Sequence, residues 1–484
     1  MSTFQRLFKQ TFVYGLATVL PRMLSFILVP LYTDILPADE YGKISFVFSY
    51  IVMFNVLLAY GMETAFFRFF NTASNKKRVT STSTLSIAIS SFVIIAVGFV
   101  FKATIALWLQ IKLEYFELVL WILLLDALVI IPFAWLRATE QSLRYAILKI
   151  VNVFVNLGLN IILLLYISDL ANHFSMLEVF VIENFEINYI FISNLIASAL
   201  TLAMLLPFYF KINYNFDTEL WKRMLRYGLP ILIAGIAFSI NETFDRILLK
   251  YLLPDNVAET AIGVYSACYK LALFMTLFAT AFRLGIEPFF FKHATHQEAP
   301  KTFALITKYF VILGSLIMLS VIVFLPLLKI LIVRDPSYWE ALKIVPLILF
   351  ANFCLGIYHN LSVWYKITDK TKFGAYISIL GALITIVINF IFIPTLSYLA
   401  SAIATLVAYG SMMFLSYFFG KKYYPIPYDI PRISFYLVLS IILCILSFYI
   451  FDSNYFITIP LLLLFLVVLY VFEFKELKQI IKQS

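Results

Sequence analysis

Long apolar stretches alternate with short polar connections from one end of this chain to the other, a pattern that predicts helices crossing a membrane. Ser86–Phe101, Val311–Leu328 and Phe435–Ile450 hold no charged residue, and Val119–Trp135 holds only Asp126. Several such runs approach the roughly 20 residues that a helix needs to cross a bilayer. Hydropathy places helices near 9–34, 42–69, 81–103, 115–136, 148–168, 187–210, 228–252, 262–290, 303–333, 341–365, 374–395, 397–419, 433–451 and 454–474. The expected fold is therefore an all-α polytopic membrane protein of about fourteen spans.

Composition supports this reading. Of 484 residues, 63% are apolar, 18% aromatic and only 13% charged, well below the roughly one-quarter charged of a soluble domain. The N-terminal MSTFQRLFKQ is basic and leads into an apolar stretch, as a secretory signal would. That stretch runs on through Pro21, Arg22 and Pro30 to Asp34 without a small-residue cleavage site, so a retained first helix is expected. Cys268, Cys354 and Cys444 are scattered through apolar segments. They suit neither a disulfide framework nor a metal site, and the four histidines are equally dispersed.

Basic residues set the orientation. Arg6 and Lys9, Lys76 to Arg78, Arg144, Lys211 with Lys222, Arg223 and Arg226, Lys292 with Lys301, Lys370 with Lys372, Lys421 with Lys422, and Lys475, Lys478 and Lys482 all fall on one side. The connections near 35–41, 169–186, 253–261 and 452–454 have no lysine or arginine. The positive-inside rule makes the basic side cytoplasmic, with both termini inside. The net charge of +9 then reflects orientation and contact with anionic lipid. No motif or basic stripe suggests a nucleic-acid partner.

An internal repeat is also present. Tyr14-Gly15-Leu16 recurs as Tyr227-Gly228-Leu229, and Gly42 to Ser45 corresponds to Gly263 to Ser266. Gly61–Arg68 (GMETAFFR) matches Gly285–Lys292 (GIEPFFFK), and Arg137–Ser142 (RATEQS) matches Lys366–Thr371 (KITDKT). The copies lie six helices apart, an even number, so the halves share one orientation about an axis along the membrane normal. The expected organisation is an N-terminal six-helix bundle over 1–215, a second over 216–425, and two further helices with a cytoplasmic tail over 426–484.

Charges within the spans point to a pathway, because each costs about 3 kcal/mol at a helix centre on insertion scales. Arg22 and Asp126 lie deep in helices 1 and 4. Helix 2 carries Glu63 and Arg68, helix 7 carries Glu242, Asp245 and Arg246, and helix 8 carries Lys270, Arg283 and Glu287. A hydrated cavity between the halves would accommodate them. Arg68, Arg137, Lys250 and Lys292 are close enough to helix ends to snorkel. Arg283 with Glu287, and Asp245 with Arg246, can equally be structural pairs, whereas Arg22 and Lys270 have no acid within a helical turn. Asn152, Asn156 and Asn160 recur every four residues, a spacing that suits interhelical hydrogen bonds.

Helices 7 and 8 read DRILLKYLLPDNVAETAIGVYSACYKL, and helices 1 and 2 read RMLSFILVPLYTDILPADEYG. These segments, with the duplicated six-helix halves and the two extra helices, resemble the polysaccharide-repeat (Wzx-like, oligosaccharide) flippases of the multidrug/oligosaccharidyl-lipid/polysaccharide (MOP) exporter superfamily. The resemblance implies an inner-membrane carrier rather than an enzyme. Such a carrier moves a polyprenyl-pyrophosphate-linked glycan from the cytoplasmic to the periplasmic leaflet by alternating access, for O-antigen, lipopolysaccharide or other cell-surface polysaccharide. Arg22, Lys270, Arg283 and Arg246 are the candidates for the pyrophosphate. Glu63, Asp126 and Glu287 are candidates for coupling to a proton or sodium ion, with pairing to nearby bases as the alternative for Glu63 and Glu287. No cofactor is expected beyond that ion, and membrane lipids and other polysaccharide-assembly membrane proteins are the expected partners.

The rival readings are a cation or drug exporter of the same superfamily, a membrane-embedded glycan polymerase or ligase, and an assembly component without transport. An exporter of cations should present an acidic, aromatic cavity. A polymerase needs an external catalytic surface that the short connections do not provide. No G-x-x-x-x-G-K-[ST] motif supports an ATP-driven pump.

Overall fold

The computed structural model describes residues 23, 26–293, 298–368 and 370–483, with side chains left undescribed at 177, 180, 287–289, 291–293, 475 and 477–483. Every regular element among them is helical. Among the described residues twelve helices are long and apolar enough to cross a membrane, and a bent pair, counted as one span, brings the number to thirteen. In chain order the helices are α1 (Val29–Ile35), α2 (Ala38–Thr72), α3 (Lys76–Val100), α4 (Leu113–Ala138), α5 (Ser142–His173), α6 (Glu186–Tyr209) and α7 (Thr218–Leu252). The bent α8 (Asp255–Leu271 and Leu273–His293) follows, then α9 (Ala299–Val323), α10 (Pro336–Ile367), α11 (Lys372–Leu396), α12 (Tyr398–Tyr423), α13 (Ile430–Ile450) and α14 (Tyr455–Gln483). Each helix expected from hydropathy after the first has its counterpart here. The expected first helix lies largely outside the described residues, and only its end, α1, is seen.

The boundaries differ where polar residues extend a helix beyond its apolar run. α3 starts at Lys76 because the Asn75 side chain caps it, accepting from the Arg78 amide at 3.1 Å. α7 starts at Thr218, ten residues ahead of its apolar stretch, with Asp217 accepting from the Leu220 amide at 3.0 Å. Helices expected to be continuous are also interrupted. α2 breaks at Tyr60 and Gly61, both left-handed with φ 31° and 71°. The two parts of α8 meet at Ala272 with a bend of 49°. The helix after α9 restarts at Leu325 with Pro326 in its first turn, where a missing N–H costs nothing.

Packing groups the chain into two compact units, one of residues 1–263 with Asn389–Thr395 and the other of residues 264–388 with 396–484. In the first, α4 packs between α3 and α6, α5 packs on α6, and α7 lies along α2. In the second, α10 packs against α12, and α9 against α13. Its centre is aromatic: the Phe310 ring stacks on Phe278 at 5.1 Å and meets Phe282 edge-on at 4.9 Å. About two-thirds of the apolar windows of α9 and α10 are buried, against 17% for α5 and for α14, which leaves the latter two the broadest faces for lipid.

The two C-terminal helices are held to α9 by an ionic cluster whose centre, Lys308 and Glu473, is buried. Lys308, on α9 and 4% exposed, reaches Glu473 at 3.2 Å and Glu476 at 2.6 Å on α14. Arg432 on α13 bonds Glu476 at 2.8 Å, and the Tyr436 hydroxyl donates to Glu473 at 3.1 Å. A fully buried carboxylate such as Glu473 persists only with partners of this kind.

Candidate functional site

In the first unit, four helices point polar side chains at one another. On α4, Asp126, Phe133 and Arg137 are seven and four residues apart, which places them on one face. On α5, Tyr145, Lys149, Asn152, Asn156 and Asn160 make a stripe at steps of three and four. α2 contributes Asn55 before its break and Glu63 after it, and α6 contributes Ser198 and Thr201.

The geometry is a polar network. One Asp126 carboxylate oxygen accepts from the Ser198 hydroxyl at 2.8 Å, and the other from the Asn55 amide nitrogen at 3.3 Å. The buried Oδ1 of Asn55 has no hydrogen-bond partner among the described residues. Arg137 donates to the Glu63 carboxylate and stands over the rings of Phe67 at 4.8 Å and Tyr145 at 5.9 Å. The Lys149 ammonium lies over the Phe133 ring at 4.2 Å. Asn152 donates to Thr201 at 3.0 Å, while Asn160 accepts from Tyr32 of α1 at 2.8 Å and donates to Asn156. The asparagine stripe therefore joins helices, as its spacing suggests.

At one end of this unit α2 crosses the start of α8 at backbone contact. A Cβ at Gly42 would stand 1.9 Å from the Glu259 carbonyl oxygen, and one at Gly263 would stand 1.8 Å from that of Ala38. The two glycines matched in the internal repeat meet each other here. Glu259 is shared between Lys43 of α2 at 3.5 Å and Lys250 of α7 at 2.9 Å, and Tyr50 bonds Tyr251 at 3.0 Å. At the other end Gly61 meets Gly228, and the Arg68 guanidinium covers the Tyr227 ring at 4.3 Å.

The expected site residues fall into distinct places. Glu63 and Asp126 belong to the four-helix network, Glu63 as the ion-pair partner of Arg137. Arg246, 8% exposed, bonds Asp245 at 2.9 Å and the Glu242 carbonyl at 3.1 Å. Lys270 lies at the end of the first arm of α8, and Arg283 in the second arm; both are half-buried and engaged by other groups. Arg22 and the Glu287 side chain lie outside what the structure describes. Hydropathy missed Lys149, although its step of three to Asn152 continues the polar stripe and was the available signal. Arg137, close enough to its helix end to snorkel, is paired with Glu63 instead. Among the described residues, no group of three or more His, Cys, Asp or Glu side chains is arranged to hold a metal.

The sequence matches the family model described as polysaccharide biosynthesis protein over residues 7–294. No curated protein matches it by sequence. Among solved structures, the lipid II flippase MurJ in an inward closed conformation aligns with a TM-score of 0.68 at 16% identity, covering 96% of this chain and 100% of that one. An inward-facing multidrug resistance MATE family transporter of the MOP superfamily aligns with a TM-score of 0.62 at 15% identity, over 87% of this chain and 95% of that one. A MOP superfamily transporter from Pyrococcus furiosus, described for the reverse polarity of its binding pocket, aligns at 0.55 and 15%, over 89% and 95%. At these identities the likeness establishes the fold.

Proposed function

The chain belongs to the polysaccharide biosynthesis protein family and has the MOP-superfamily fold, and on that premise we propose that it is a flippase for lipid-linked oligosaccharide. Its substrate would be a polyprenyl-pyrophosphate glycan, carried from the cytoplasmic to the periplasmic leaflet of the bacterial inner membrane by ion-coupled alternating access. Residues 1–215 and 216–425 act as the two repeated halves, and both termini are cytoplasmic. The observation that carries the proposal is the family match, which spans the first half and enters the second.

The chemistry of the spans suits such a substrate. A pyrophosphate brings about two negative charges into a low-dielectric region, where bases serve as charge-assisted donors. Arg22, Lys270, Arg283 and Arg246 take this role, with Lys270, Arg283 and Arg246 exchanging their present partners for phosphate. Coupling falls to Glu63, Asp126 and Glu287. Asp126 suits it best, since its carboxylate is held by neutral donors and can change charge state without breaking an ion pair.

A multidrug exporter is the second reading, favoured by the fold shared with the MATE transporter. Reconstituted protein separates the two. Protein-dependent movement of a tagged polyprenyl-pyrophosphate glycan between leaflets, without efflux of a cationic dye, supports the flippase. Dye efflux without glycan movement under any proton or sodium gradient overturns it.

A further inference from the structure

We propose that the connection between α5 and α6, residues 174–185, is an interfacial membrane-binding segment, whose apolar side chains enter the leaflet on the side away from the basic connections. Its partner is the phospholipid bilayer, whatever the protein transports.

The segment exposes a concentration of apolar side chains. Phe174, Met176, Val179, Val181 and Ile182 all stand in the open, Met176 at 87% and Val179 at 77% exposure. Lone exposed apolar residues are ordinary, but a run of them marks a surface that meets something apolar. Their spacing gives the segment two faces. Residues Ser175–Phe180 form a 3-10 turn, in which side chains three apart lie in one row. Met176 and Val179 make an apolar row, and Ser175 and Glu178 a polar one. Such a turn suits the boundary between lipid and water.

Position identifies the apolar phase as lipid. α5 has 32 residues, which at 1.5 Å rise is about 48 Å, against a hydrocarbon core of about 30 Å. Its last turns therefore reach the interface and deliver the segment there. At the other end the Ile182 amide donates to the hydroxyl of Tyr189, in the first turn of α6, at 3.2 Å. That bond holds the chain at the level where α6 enters the membrane. The broad lipid face of α5 carries Phe154, Ile162, Leu165 and Tyr166, and the apolar residues of the segment continue it. Residues 169–186 hold Asp169, Glu178, Glu183 and Glu186 but no lysine or arginine. Attraction to anionic headgroups therefore cannot supply the contact, and burial of apolar surface must.

The test places single spin labels at Ser175→Cys, Met176→Cys, Glu178→Cys and Val179→Cys in the full-length protein, reconstituted in bilayers of a zwitterionic phospholipid. The chain without an added cysteine is the control, because Cys268, Cys354 and Cys444 are buried. Collisions are measured with oxygen, which concentrates in lipid, and with a nickel chelate, which stays in water. Labels at 176 and 179 should show an oxygen-to-nickel ratio several-fold above those at 175 and 178, unchanged when anionic lipid is added. Equal ratios at all four positions would overturn the proposal, since the segment would then have no lipid face distinct from a water face. Poor access of both reagents to 176 and 179 would overturn it too, because a partner protein or a second copy would then cover them. So would a contrast that appears only with anionic lipid. If Met176→Cys or Val179→Cys does not elute as a folded species, Phe174→Cys and Ile182→Cys take their place.

Discussion

Replacing Gly42 with alanine should destabilise the crossing of α2 and α8 by an amount set by backbone geometry. The added Cβ would lie 1.9 Å from the Glu259 carbonyl oxygen, where ordinary contact begins at 3.4 Å. Because the obstacle is main chain, no rotamer change relieves it, and the helices must part by about 1.5 Å, with an overpacking cost of about 1–3 kcal/mol. Parting would also weaken the Lys43–Glu259 ion pair, already at 3.5 Å. Gly263→Ala makes the reciprocal clash, at 1.8 Å from the Ala38 carbonyl. Once one alanine has opened the crossing, the second fits into the same gap. The double variant should therefore cost less than the sum of the singles, by about 1 kcal/mol or more. Thermal unfolding can be followed with a thiol-reactive dye, since Cys268, Cys354 and Cys444 are free and buried. Wild-type midpoints for the singles, or strict additivity in the double, would refute the shared crossing.

Three further outcomes are expected. Lys308→Met should lower stability by about 3 kcal/mol by leaving the buried Glu473 only the Tyr436 hydroxyl and the more distant Arg432 at 3.8 Å, and adding Glu473→Gln should restore part of the loss; unfolding midpoints of the single and double variants check this. Burial pushes the Glu476 carboxyl up, but the hydrogen bonds and charges of Lys308 and Arg432 outweigh it and hold the group below its ordinary value of 4.5. Its stabilising contribution is then complete above about pH 4.5 and falls away as pH drops through the lowered value, so Glu476→Gln should flatten the acid limb of a midpoint-against-pH curve. Gly61→Ala combines a left-handed backbone with a Cβ 2.2 Å from the Gly228 carbonyl, and its loss of about 2 kcal/mol or more should exceed that of Gly158→Ala, where a Cβ meets open space, in the same thermal assay.

Much of the architecture is legible in the sequence because hydropathy records which residues face lipid. It does not record where a helix bends inside an apolar run, so the breaks at Tyr60 and Ala272 left no mark in it. Nor does it see the polar first turns of α3 and α7, which Asn75 and Asp217 cap outside the apolar stretches. Asp126 stood out as a single carboxylate in an apolar run. Arg137 did not, because its partner Glu63 is 74 positions away and spacing along one helix says nothing about a neighbouring helix. Lys308 and Glu473 escaped for the same reason. Each sits near a helix end in sequence, and only packing buries them together.

The most direct measurement follows a tagged polyprenyl-pyrophosphate glycan, loaded in one leaflet of liposomes containing the purified protein, until an impermeant glycosidase can reach it from the opposite side. Wild type should expose the glycan in a protein-dependent way, and Arg22→Ala, Lys270→Ala and Arg283→Ala should each slow exposure while leaving the unfolding midpoint near that of wild type. Exposure at wild-type rates in all three variants would remove the assigned pyrophosphate contacts. No exposure by wild type under any proton or sodium gradient, with the protein folded, would contradict the flippase account itself.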